Sequence, residues 1–148
     1  MLIKTLQFLA LFLTAVMLMP AGAHFFEMPH KIALDRDDYF IVQGIYAGWS
    51  WFGAVLIPLV LVDFGLAYVM RNDKWPALLA LAAGILTLTT LVTFFIWIFP
   101  ANQATVNWTT IPENWATLRS QWEYTHAVNF AFTLLAFSAL TLALIVRR

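Results

Sequence analysis

The chain has 148 residues, of which 62% are hydrophobic, 16% aromatic and only 11% charged, with a mean hydropathy of +0.80, whereas a soluble domain carries roughly 25% charged residues. A soluble globular protein is thereby excluded. Eight Lys and Arg against eight Asp and Glu leave no net charge, so the basic footprint of a nucleic-acid partner is missing, and the lack of cysteine excludes a disulfide, a thiolate metal centre and a cysteine nucleophile.

At about 20 apolar residues per crossing, the length accommodates four spans. The expected fold is all-α: one transmembrane domain over residues 1–148, an integral membrane four-helix bundle with spans at about 5–27, 45–69, 77–99 and 125–146. Only Gln7 and Thr14 interrupt the first apolar run before His24. Lys4, Pro20 and Ala21-Gly22-Ala23 also fit a cleavable secretory signal, but the run outlasts the usual core of roughly 7–15 residues and is read as a retained span. Residues 28–44 read as a polar loop, with Pro29 expected to fray the turn that carries Glu27. The second span holds one charge, Asp63, and is separated by Arg71-Asn72-Asp73-Lys74 from an uncharged third. In the connection that follows, Thr110-x-x-Glu113 with Pro112 has the form of a capping box, so a short amphipathic helix is expected to begin there and lead into the fourth span.

Lys4, Arg71, Lys74, Arg147 and Arg148 fall on one side of these spans; Lys31, Arg36 and Arg119 fall on the other, among Asp35, Asp37, Asp38, Glu113 and Glu123. Cytoplasmic flanks carry the basic excess, so both termini are expected to be cytoplasmic, in a bacterial inner (plasma) membrane. The outer side also holds Trp49, Trp51, Trp97, Trp108, Trp115 and Trp122, against Trp75 alone at the inner surface. Anchoring in lipid does not account for that imbalance.

His24, His30 and His126 are the only histidines, and all lie on the outer side. Glu27 follows His24 by three residues, and Glu123 precedes His126 by three. Counted at 1.5 Å per residue, His24 is roughly 30 Å from Lys4 and His126 roughly 31 Å from Arg147, so antiparallel helices bring the imidazoles to one depth. Residues three apart share a helix face, and each Glu–His pair can address one centre. Inward carboxylates and Glu/His pairs build metal sites in four-helix bundles. His24, Glu27, Glu123 and His126 are therefore candidate catalytic residues and candidate ligands for iron, copper, zinc or manganese. Two facing histidines are also a candidate bis-His haem site. A proton-handling His–Glu site with no cofactor, and a purely structural polar cap, are the alternatives.

Trp115, Arg119, Trp122 and His126 recur at helical spacing and form one stripe. It reads in two ways: Arg119 among tryptophans as a clamp for an anionic or aromatic ligand, or an interfacial helix with Trp115 and Trp122 in the membrane surface and Arg119 paired with Glu123. Asn102 and Asn107 either line the same pocket or form turns, and Asn107-Trp108-Thr109 matches a glycosylation acceptor with nothing else pointing to that setting. Asp63, the one carboxylate well inside a span, is a functional hypothesis by default, although its place near the inner boundary favours a hydrogen bond to a neighbouring helix. Thr87, Thr89, Thr90 and Thr93 read as hydroxyls satisfied within the bundle.

With these residues in view, the chain resembles the small four-helix membrane proteins grouped with the anthrone oxygenases. The resemblance rests on Ala23-His24-Phe25-Phe26-Glu27-Met28-Pro29-His30-Lys31 with Gln43 and Tyr46, and on Asn102, Asn107, Trp115, Leu118-Arg119 and Trp122. Named members of that group are implied to oxidise a polycyclic anthrone to an anthraquinone, while most relatives have no assigned activity. The substrate-binding candidates are Arg119, Trp115, Trp122, Trp108, Asn102, Asn107, Gln43 and Tyr46. Glu123-Tyr124-Thr125-His126 departs from the pattern, where Asn often follows the second Trp. The expected function is a membrane-embedded oxidoreductase or oxygenase acting on a hydrophobic aromatic or quinone-like small molecule. The alternative is a non-catalytic membrane protein presenting an aromatic, acidic outer face to a lipid, cofactor or partner subunit. A transporter fits less well, because no repeat is present and only Pro58 interrupts a span.

Overall fold

A computed structural model of the chain describes residues 1–147; Arg148, counted above among the inner-side basic residues, lies outside the described residues. Six α-helices, α1 (Leu2–Lys31), α2 (Arg36–Gln43), α3 (Gly53–Val69), α4 (Lys74–Thr93), α5 (Phe99–Ala104) and α6 (Trp115–Ile145), occur without a strand among the described residues. Four helical stretches are long and apolar enough to cross a membrane: Leu2–Lys31, Trp49–Val69, Lys74–Ala104 and Trp115–Ile145. The third joins α4 to α5 through a π-helical turn at Phe94–Ile98. Each of α1 and α4 packs against both α3 and α6, giving a four-membered ring. Arg147 lies 3.8 Å from Asp73 at the α3–α4 turn, so the C-terminal end and that turn share one end of the bundle; His24 and His126 occupy the other, called here the histidine end.

Small side chains set the packing. The core of the lower half is Ala10, Ala80, Ala83 and Ala136 with Leu66, Met70 and Leu140, while Phe8, Phe12, Leu61, Ile85, Leu135 and Ile145 point outward. Between lipid tails and a protein interior there is no hydrophobic gradient, so helices associate where small residues allow close backbones and polar groups can bond across. Gly84 is such a point: a Cβ there would meet Asp63 Cβ and the Phe64 ring at 3.4 Å.

Three local expectations fail. The helix leading into the fourth span begins at Trp115, not at Thr110, and has no side-chain cap. A helix from Thr110 would need Ile111 in the α region immediately before Pro112, which the proline ring disfavours. Pro29 does not end α1, which continues to Lys31, with the Ile32 amide bonded back to the Met28 carbonyl at 2.9 Å; only one backbone donor is lost, and Lys31 is fixed by the contacts described below. Residues 28–44 are not one loop either, because Asp35 accepts the Asp38 amide at 3.2 Å and starts α2, which buries Tyr39 and Gln43 one turn apart.

The contact at Gly84 gives a direct test of the α3–α4 packing. Alanine fits at van der Waals distance and is expected to leave the thermal midpoint in detergent nearly unchanged, whereas Gly84→Leu is expected to lose about 1–3 kcal/mol through overpacking; an unchanged midpoint for leucine would refute the close approach.

Candidate functional site

The last turn of α1 carries Lys31 into the protein, where it is 3% exposed, and α6 brings Glu123, 0% exposed, to meet it. Lys31 Nζ lies 2.9 Å from Glu123 Oε1 and donates to the Tyr46 hydroxyl at 2.9 Å. The ammonium also stands over the faces of Tyr46 and Trp122, at 4.3 and 4.6 Å from the ring centroids. Tyr46 donates in turn to Glu27. Tyr39 donates to Glu123 Oε1 at 2.8 Å and accepts from Gln43 Nε2 at 2.8 Å. Burial pushes the Tyr39 hydroxyl above its usual range, and the Glu123 carboxylate adds to the shift; burial and the bond to Glu27 do the same to Tyr46. Both phenols therefore stay protonated and act as donors to the carboxylates.

Beside this network the two imidazoles meet. The rings of His24 and His126 are 4.0 Å apart between centroids and tilted by 33°. Trp122 lies 4.9 Å from His24 and 4.2 Å from His126, with Tyr46 at 4.5 Å and Trp49 at 5.3 Å from His24. His24 Nδ1 and His126 Nε2 are buried and have no hydrogen-bond partner within the protein. His30 is exposed and takes no part.

The shared depth of the histidines thus places them in contact, but their glutamates turn to other partners. Glu27 is held by Tyr46 and Glu123 by Lys31 and Tyr39, and among the described residues no three His, Asp or Glu side chains gather where a metal ion could sit. His24, Glu27, Glu123 and His126 do not form one ligand set. With the His24 and His126 rings in contact at 4.0 Å between centroids, no flat macrocycle fits between them.

In the aromatic stripe Trp122 is 3% exposed, so it is not a membrane-surface anchor, and Trp108 from the preceding connection is buried beside it at 6%. Both indole N–H groups donate to Asn102 Oδ1 at 3.0 Å. Arg119 does not pair with Glu123; it donates to the Leu34 carbonyl at 2.8 Å and stacks on Trp115 at 4.6 Å and Tyr39 at 5.4 Å, tying α6 to the segment before α2. Asn107 is exposed in a turn where Val106, Asn107 and Trp108 all have left-handed φ of 50°, 53° and 63°. Such backbone costs about 1–2 kcal/mol per non-glycine residue. It is held by the Asn107 amide on the Asn102 carbonyl at 2.7 Å and the Trp108 amide on Thr105 Oγ1 at 3.0 Å, which direct the Trp108 ring inward. Gln43 and Tyr46 sit within the network, through Tyr39 and Glu27. Lys31 and Tyr39 escaped the reading of candidate site residues, although Lys31 follows His24 by seven residues and Glu27 by four, the same helix face.

Comparison of the chain with protein-family models, with curated proteins and with solved structures gives no match. The likeness to the anthrone oxygenases therefore stands on the quoted residues alone.

Asn102 is the acceptor on which both buried indoles depend. Replacing it with leucine is expected to leave two donors unpaired, at about 1–3 kcal/mol each, and to lower the thermal midpoint in detergent clearly; a midpoint equal to that of the wild type would remove Asn102 from this role.

Proposed function

We propose that the chain is a membrane-embedded oxidoreductase of the oxygenase kind, acting at the histidine end on a hydrophobic aromatic or quinone-like molecule taken from the lipid. The observation that supports this reading is the pair of unpartnered imidazole nitrogens, His24 Nδ1 and His126 Nε2, buried in an aromatic corner beside a Lys–Glu–Tyr network. An unpaired buried polar atom costs about 1–3 kcal/mol, so two of them side by side suit a site that completes its bonding with a substrate. Imidazole is a suitable base near neutral pH.

In this reading an imidazole nitrogen removes a proton from an activated ring C–H or phenolic O–H, and Trp49, Trp122 and Tyr46 stack on the substrate. Glu123 and Glu27 balance the charge of Lys31 and of the protonated imidazole. Oxidation of an activated methylene to a carbonyl by dioxygen balances as one CH2 and one O2 giving C=O and water, so dioxygen is the co-substrate. Arg119, bonded to the Leu34 carbonyl, positions α2 instead of clamping a ligand. The positive-inside rule puts the histidine end on the outer face.

A second reading is a non-catalytic accessory protein. Asp35, Asp37 and Asp38 are exposed on the histidine end and, with Arg36 and Trp115, line a shallow groove, which favours a docked cationic partner.

Oxygen uptake by the purified protein with an anthrone or a related hydroxylated polycyclic aromatic decides between them. The expected result is turnover that falls about 100-fold or more in His126→Ala and in His24→Ala, with both variants still extracted as folded protein. Absence of uptake by the wild type, or full activity in His126→Ala, would overturn the enzymatic reading.

A further inference from the structure

At the end of the bundle opposite the histidines, α3 and α4 leave a groove of about 480 Å³ on the outer surface. One wall is Phe64, Ala67, Tyr68 and Arg71, whose spacing of three, one and three residues is a single face of α3 continued into the turn. The other wall, Lys74, Ala77, Leu78 and Leu81, repeats that spacing on α4. The two helices leave the turn side by side, so the walls match level by level. Arg71 and Lys74 stand at the mouth, Ala67 and Ala77 about one turn in, and Phe64 and Leu81 roughly 10 Å from the mouth at 1.5 Å per residue. The alanines hollow the groove between larger neighbours. Its depth is about two thirds of one leaflet, taken as half of a hydrocarbon core of roughly 30 Å.

The mouth is cationic and uncompensated. Asp73, the carboxylate of the turn, lies 3.8 Å from Arg147, and among the described residues neither Arg71 nor Lys74 forms an ion pair. The Arg71 guanidinium is already oriented: Nη1 donates to the Tyr68 carbonyl at 3.0 Å, and the group stacks on the Tyr68 ring at 4.4 Å. Most of its donors remain for an anion, and the planar guanidinium suits phosphate while the lysine adds a point charge. Tyr68 and Trp75 are exposed beside the two cations, and amphipathic rings of this kind settle at the level of the headgroups. The groove below the mouth therefore faces acyl chains. By the positive-inside rule this end belongs to the cytoplasmic leaflet, where anionic lipids concentrate and basic pockets between spanning helices hold their headgroups.

We propose that the α3–α4 groove is a site for one anionic phospholipid, with the phosphate between Arg71 and Lys74 and an acyl chain laid over Ala67 and Ala77 between Phe64 and Leu81. The charge decides the class of lipid. A zwitterionic headgroup brings its own cation to a mouth that already has two, whereas a headgroup of net negative charge is matched there. The hollow decides against a free anion, since the two alanines leave room along the groove that only a chain fills. This site is independent of the chemistry at the histidine end.

The test is native mass spectrometry of the full chain released from detergent micelles, with phosphatidylglycerol, phosphatidylcholine or soluble glycerol phosphate added at equal concentration. The wild type is expected to retain one phosphatidylglycerol, with phosphatidylcholine bound about tenfold more weakly and glycerol phosphate unable to displace the lipid. Arg71→Gln and Lys74→Gln are each expected to weaken phosphatidylglycerol binding about fivefold. Both side chains are exposed, so neither replacement disturbs the core. Lys4→Gln, which removes a basic residue outside the groove, is expected to change nothing, and Ala77→Leu, which fills the groove and keeps both cations, is expected to weaken binding. Equal retention of the two lipids, displacement by glycerol phosphate, a loss in Lys4→Gln equal to that in Arg71→Gln, or a lipid-free dimer in place of the lipid adduct would overturn the proposal.

Discussion

The histidine end is organised by one buried ion pair, Lys31 with Glu123. It joins the last turn of the first helix to the fourth spanning helix, and the groups that complete the coordination of its charges come from two further segments: Tyr39 from α2 and Tyr46 from the turn before α3. Taking two charges out of water is costly, and the pair is tolerated only because donors and aromatic faces surround it. Once Lys31 and Glu123 are fixed, His24 and His126 follow, since each lies on the same helix as one partner and about two turns or less away. Their ring contact is a consequence of that geometry. The pair also explains why α1 runs through Pro29, because the turn beyond the proline carries the lysine.

Lipid as solvent reverses the usual distribution of side chains below this layer. Many large apolar residues face outward, and beside Leu59, Leu66, Met70 and Leu140 the interior holds alanines, threonines, Asp63 and Asn129. In a medium without hydrogen-bonding partners, such groups must satisfy one another. Thr87 with Asp63 and Thr93 with Asn129 do so between helices. Buried polar side chains thus extend from the ion pair to Asp63, and Gln7 on α1 adds another nearer the opposite end of the bundle.

Much of the architecture is legible from composition. Four apolar runs are a signal that little else can mimic, because only helices and closed barrels satisfy their backbone in lipid. The contact of His24 with His126 is equally legible, since rise per residue along antiparallel helices fixes depth. What escapes is the partner of each charge. Spacing places Glu123 one turn from both Arg119 and His126, yet Lys31, 92 positions away, holds it; a contact of that kind depends on how the helices rotate about their axes, which no local pattern records. The start of α6 escapes for another reason: Thr110 and Glu113 have the right spacing for a cap, but the backbone restriction before Pro112 outweighs two side-chain bonds.

The claim that the Lys31–Glu123 pair closes the histidine end is tested most directly by a double-mutant cycle. Unfolding free energies would be measured in mixed micelles for the wild type, Lys31→Met, Glu123→Gln and the double variant. Each single replacement leaves the other group buried without its counter-charge and is predicted to cost about 3–5 kcal/mol, while the double variant loses little more than one of them. Additive losses, or single variants as stable as the wild type, would contradict the account.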